Sequence, residues 1–158
     1  MKNKKYELLK DDAITSFGRT LYRIKATTDF GDVKKGELGG YIEKEENLSH
    51  LGNAWVSDNA RVSGDARVSG DAWVSELGDV IVFKNHWSSG RHFTYTKSNK
   101  MWRVGCFYGT GQELIEKAYA DSEDSGKHYK AYVDFVEALE RVSEHKKPLL
   151  EQWLTKII

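Results

Sequence analysis

Five cations stand in one stretch with no acid between them. Lys84, Arg91, Lys97, Lys100 and Arg103 all fall within residues 81–109, where neither Asp nor Glu occurs. His86, Trp87, His92, Phe93, Tyr95, Trp102, Phe107 and Tyr108 are interleaved with them. Cationic side chains bind phosphate oxygens, Arg in bidentate geometry, and aromatic faces stack on a base. The stretch therefore reads as a site for a nucleotide-type ligand. Its candidate contacts are Lys84, Trp87, Arg91, His92, Tyr95, Lys100, Trp102 and Arg103. The competing reading is a sheet with one aromatic core face and one solvated face, which Phe93, Tyr95 and Trp102 suit equally well.

Other chemistry is poorly supported. Cys106 and His128 would make a nucleophile–base pair, but Cys106 sits in the apolar run Val104-Gly105-Cys106-Phe107 and reads as a buried small hydrophobe. The five histidines, His50, His86, His92, His128 and His145, have no metal-ligand spacing. Gly109-Thr110-Gly111 before a helix offers backbone N–H groups to an anion, and is equally a plain turn. The sequence thus assigns no catalytic residue, no metal and no cofactor. With 24 basic and 24 acidic residues the chain is neutral, so a globally basic nucleic-acid binder is excluded. Nucleic acid is a compatible partner but not the favoured one. A single cysteine rules out an intrachain disulfide scaffold, and no apolar run approaches a membrane span. The expectation is a soluble cytosolic protein.

The elements that must position these residues follow from an internal repeat. Residues 53–76 divide into four hexads, with Ala at 54, 60, 66 and 72 and Val at 56, 62, 68 and 74. A period of six does not fit a helix, whereas two-residue spacing puts each Ala and Val on one face of a short strand. Trp55, Arg61, Arg67 and Trp73 lie between them and are read as an outward partner face. The hexads resemble those of left-handed parallel β-helices, in which three hexads make one triangular coil. That resemblance implies stacking of Trp55 on Trp73, about 4.8 Å apart, and pairing of Arg61 with Asp79. Ile42 and Leu48 are in phase with Ala54, which extends the coil over about residues 38–80.

Residues 1–37 read as a cap. Its strand is Leu21–Ala26, the turn Ser16-Phe17-Gly18-Arg19 precedes it, and a helix over Tyr6–Asp12 is only weakly patterned. Residues 80–108 read as a three-stranded meander. Thr110 and Glu113 have capping-box spacing, and a first helix follows. Tyr129, Tyr132, Val133, Val136, Leu139 and Val142 form the stripe of a second helix, which Pro148 is expected to stop. Trp153, Leu154, Ile157 and Ile158 give a last short helix an apolar end suited to a homo-oligomer. The predicted architecture is therefore α+β: a cap at 1–37, a short left-handed parallel β-helix at 38–79, and a module at 80–158. That module is a three-stranded antiparallel sheet with two or three helices.

The stretch Tyr22-Arg23-Ile24, Phe30 to Glu43, Asn47-Leu48-Ser49 and Gly52 to Val56 is similar to a group of small proteins encoded in phage and prophage genomes. These join such an entry sequence to hexad repeats and a variable C-terminal part. The resemblance implies a non-enzymatic protein of the host bacterial cytoplasm that counters a defence system. It would do so by binding a nucleotide immune signal or a defence protein. The alternatives are direct inhibition of a CRISPR or other defence complex, and a hexapeptide-repeat transferase or nucleotide-degrading enzyme. Hexapeptide-repeat acyltransferases usually carry a histidine in a loop projecting from the coil, and residues 53–76 contain none.

Overall fold

The computed structural model describes residues 4–157, with side-chain surroundings for residues 4–142. It divides into two compact units, residues 1–110 and 111–158.

The first unit opens with a hairpin. β1 (Tyr6–Ser16) and β2 (Arg19–Ala26) pair antiparallel from Tyr6↔Ala26 to Ser16↔Arg19, and the register shifts between Leu9 and Ala13. β3 (Leu38–Ile42) adds antiparallel to β2. The hexads follow as two-residue strands: β4 (Trp55–Val56), β5 (Arg61–Val62) and β6 (Trp73–Val74). β5 pairs parallel with β3 through Tyr41↔Arg61 and Ile42↔Val62. β4 pairs parallel with β6 through Trp55↔Trp73 and Val56↔Val74. The third hexad makes only an isolated parallel bridge, Leu48↔Val68.

The parallel β-helix expected over residues 38–80 is therefore not what forms. The described residues form three sheets, antiparallel or mixed apart from the β4–β6 pair, and they are not stacked as a solenoid. Two physical causes are visible. β3, expected to open the first coil, is captured on one side by the long hairpin, whose ladder offers more hydrogen bonds than a two-residue rung. Each hexad also spends most of its length in corners, so parallel pairing never extends beyond two residues at a time.

The repeat still builds the core. Ala54, Val56, Ala60, Val62, Ala66, Val68, Ala72 and Val74 are all buried in one cluster with Tyr6, Ile24, Val33, Ile42 and Leu48. Trp55, expected outside, is only 1% exposed. It is covered edge-on by Phe30, with ring centroids 5.2 Å apart, and by Tyr6 at 6.5 Å. Gly39 makes room for it, since a Cβ there would come within 2.7 Å of the indole and 2.5 Å of the Val56 carbonyl. Polar plugs close the cluster. The Lys5 ammonium donates to the Ala54 carbonyl (2.6 Å) and the Gly52 carbonyl (3.4 Å). The buried Asn47 amide donates to the Gly64 and Ala66 carbonyls at 3.1 and 2.9 Å.

A second sheet ends this unit. β7 (Val80–Lys84), β8 (His92–Thr96), β9 (Met101–Val104) and β10 (Phe107–Thr110) form an antiparallel meander. It has four strands rather than three. The apolar run after Met101 is cut by a two-residue turn at Gly105-Cys106, with Val104 paired to Phe107. Gly105 takes φ +55° there. Cys106 is exposed on that turn, not buried.

The second unit is a helical pair, α1 (Gly111–Asp121) and α2 (Glu123–Ile157). Leu114 and Ala118 of α1 and Tyr129, Val133 and Val136 of α2 are buried, whereas Leu139 and Val142 are exposed. α2 continues through Pro148 instead of stopping there, so no separate third helix forms. A proline removes one intrahelical hydrogen bond, and the surrounding turns outlast that loss. The apolar end proposed for self-association, at Trp153, Leu154, Ile157 and Ile158, lies outside the residues whose side chains are described.

Candidate anion-binding site

Strand parity sorts the meander's residues. Phe83 pairs with Phe93, and Tyr95 with Trp102, so these four share one face. Thr94 pairs with Arg103, and Arg103 with Tyr108, so these three share the other. Thr94 and Tyr108, on the Arg103 face, bond to the repeat. The Arg67 N–H donates to Thr94 Oγ1 at 3.0 Å. The Tyr108 hydroxyl donates to the Ser69 carbonyl at 3.3 Å and accepts from Asn99 Nδ2 at 2.8 Å. Along the meander's β7 and β8–β9 ends, the Trp73 N–H donates to Ser98 Oγ at 2.7 Å, and the Lys97 N–H to the Asp79 carbonyl at 2.9 Å. Burial pushes the Tyr108 hydroxyl above its ordinary range, so it stays a neutral donor at physiological pH.

These bonds fix a cleft of about 470 Å³ between the third hexad and the meander. Its lining is Asp65, Arg67, Arg91, His92, Arg103 and Gly105. Arg91 is set by a pinned loop, in which the Asn85 N–H donates to the Arg91 carbonyl at 2.8 Å and the Gly90 N–H to the Asn85 carbonyl at 2.9 Å. His92 starts β8, and its Nδ1 lies 3.2 Å from Asp65 Oδ2. Arg103 projects from β9, and its Nε is buried without a hydrogen-bond partner among the described residues. Among those residues none of the three guanidinium groups forms an ion pair. Three cations thus converge on a space whose one carboxylate is already held by His92. Positive charge concentrated in this way makes a field suited to an anion.

The expected contacts divide. Arg91, His92 and Arg103 meet in the cleft, joined by Arg67, which the sequence had placed on a partner face. Tyr95 and Trp102 do not offer rings for stacking. They are 3% and 2% exposed, lie 4.9 Å apart, and Trp102 is flanked by Phe83 at 6.0 Å and Phe93 at 6.2 Å. That face is an aromatic core, as the competing reading expected. Trp87 is half-buried in the 85–90 loop, edge-on to His86, and Lys84 and Lys100 are exposed outside the cleft lining. The partner face is not assembled either. Trp55 is core, Trp73 is 37% exposed, and Arg61 donates to Ser16 Oγ at 3.3 Å beside the hairpin tip. Asp79 does not meet Arg61, because its Oδ2 accepts from the Ser75 and Glu76 N–H groups at 2.9 and 3.1 Å. Besides Gly105, sequence reasoning missed one cleft residue that carries a charge, Asp65. Its hexad position marks only a corner, and its nearness to His92 is a long-range fact.

Among the described residues no three His, Cys, Asp or Glu side chains converge in a way that would hold a metal ion. Nor is any described helix long and apolar enough to cross a membrane. No protein-family model matches the sequence, and no curated protein does.

Proposed function

We propose that this chain is a binding protein without catalytic activity, which captures a phosphate-bearing ligand of nucleotide type in the cleft formed by Arg67, Arg91, His92 and Arg103. The observation that carries the proposal is the convergence of three guanidinium groups with no ion-pair partner among the described residues. A charge-assisted hydrogen bond contributes about 1.5–3 kcal/mol. Bidentate contacts from two or three arginines therefore outweigh the cost of immobilising a small anion. The buried rings of Tyr95 and Trp102 leave the phosphate, not the base, as the part read most strongly. The likeness of residues 22–56 to phage and prophage proteins supplies the setting: sequestration of a nucleotide immune signal in the host bacterial cytoplasm. Occupation of an acidic or phosphorylated surface on a defence complex, CRISPR included, would use the same cations.

One observation favours a second reading. The Asp65–His92 pair beside the arginines has the form of a carboxylate-oriented imidazole, which is the layout of a general base. Under that reading the chain would hydrolyse its nucleotide. Incubation with a panel of linear and cyclic nucleotides, followed by heat release and mass spectrometry, separates the two. Recovery of an intact bound nucleotide supports the binder. Recovery of a cleaved product supports the hydrolase, and no retention of any panel member counts against both.

A further inference from the structure

The tip of the first hairpin carries a feature that the folded chain does not use. Phe17 and Gly18 form the turn between β1 and β2, with φ +51° and +76°. Both central positions of such a turn need the left-handed region, which Asn and Gly adopt readily and Phe does not. Phe17 is also fully exposed, at 101%. The chain therefore holds an aromatic residue in a strained conformation without burying any of it. Leu77, 83% exposed, lines the same groove. This groove of about 510 Å³ runs from the hairpin tip to the corners of the repeat, over Leu21 and Ala60.

The groove's charges say what covers it. Its charged lining residues are Arg61, Asp58 and Glu76. Among the described residues none of these three enters an ion pair. In a two-fold interface the same patch meets itself, so each charge must find its opposite within one surface. This patch meets that condition, and it pairs the charges with exposed apolar groups of the kind that anchor interfaces. We propose that the groove binds a second copy of this chain. Phe17 of each copy inserts over Leu77 and Ala60 of the other, and Arg61 lies opposite Asp58 and Glu76. The proposal is independent of the anion cleft.

The experiment is light-scattering mass across a micromolar concentration series, on the full chain and on Phe17→Asn, Leu77→Asp and Arg61→Glu. The wild type is expected at twice 18.0 kDa, with a Tm that rises with concentration. Phe17→Asn is the decisive variant, because Asn suits the turn better than Phe and the fold has no reason to suffer. It is expected to give half the wild-type mass, an unchanged circular dichroism spectrum and a Tm independent of concentration. Leu77→Asp and Arg61→Glu should also halve the mass. A wild type of 18.0 kDa throughout the series overturns the proposal. So does a Phe17→Asn variant that remains dimeric, since the copies would then meet elsewhere.

Discussion

Lys5 gives the fold a pH dependence whose sign is opposite to that of an ordinary surface cation. Its side chain is 3% exposed, under the Phe30 ring at 4.7 Å, and its ammonium reaches the Ala54 and Gly52 carbonyls. Burial lowers its pKa from 10.5 to about 8. Below about pH 8 both folded and unfolded chains carry the proton, so Lys5 contributes no slope. Above that the folded chain releases it while the unfolded chain keeps it, so stability rises with pH until the unfolded lysine also titrates. From about pH 7 to about pH 9.5 the gain is about 2 kcal/mol, or about 4–8 °C in Tm for a chain of this size. The rise ends where Tyr6 takes over. Burial, with Glu45 nearby, raises the Tyr6 hydroxyl above the ordinary tyrosine range, so the unfolded chain ionises first and stability falls above about pH 10. Urea denaturation at a series of pH values reads the effect, and Lys5→Met should abolish the rise. A wild type whose stability is flat or falling over this window would refute the reasoning, as would a Lys5→Met chain that keeps the rise.

Further outcomes are open to test. Trp55→Ala should destabilise by about 3–5 kcal/mol, whereas Trp73→Ala, its partner across the rung, should cost about 2–3 kcal/mol because its ring is part-exposed. Chemical denaturation compares them, and equal losses would contradict the burial difference. Asn47→Ala should cost about 2–4 kcal/mol, since it leaves the Gly64 and Ala66 carbonyls and the Lys44 N–H without their partner. Denaturant melts of this variant beside Asn47→Asp test it, and Asp should restore only the Lys44 bond. Cys106 should alkylate rapidly in the native chain without change in the far-ultraviolet spectrum, because it stands on an exposed turn. Protection until unfolding would place it in the core after all.

What was legible in the sequence was local. The turn at Ser16–Arg19 could be read because Gly18 tolerates positive φ. The inward pairing of Ala and Val could be read because strand side chains alternate. The strand at 80–84 could be read from its apolar, β-branched run, and the one at 92–96 from its alternation. What failed was competition between elements. β1 went unread because its alternation breaks at the register shift between Leu9 and Ala13. The coil failed because one edge of β3 is taken by the antiparallel hairpin while its other edge pairs with β5 for only two residues, and nothing within a hexad encodes that outcome. Gly105-Cys106 was hidden inside an apolar run, and one strand was read where two form a hairpin. The site was half legible. Charge segregation marked Arg91, His92 and Arg103, but Arg67 and Asp65 join them only because Thr94, on the Arg103 face, binds the third hexad.

The most direct test of the cleft is to watch its guanidinium groups. In a spectrum of ¹⁵N-labelled protein, the Nε–H resonances of Arg67, Arg91 and Arg103 are followed as inorganic pyrophosphate and then adenosine triphosphate are added at low salt. All three should shift together along one saturating curve, with both probes, and the responses should weaken as salt screens the site. Arg103→Ala should weaken saturation at the remaining two by about tenfold or more, the loss of one charge-assisted hydrogen bond. If these three resonances stay fixed at millimolar probe, or move no more than those of Arg61 and Arg141, the cleft is not an anion site and the functional reading falls.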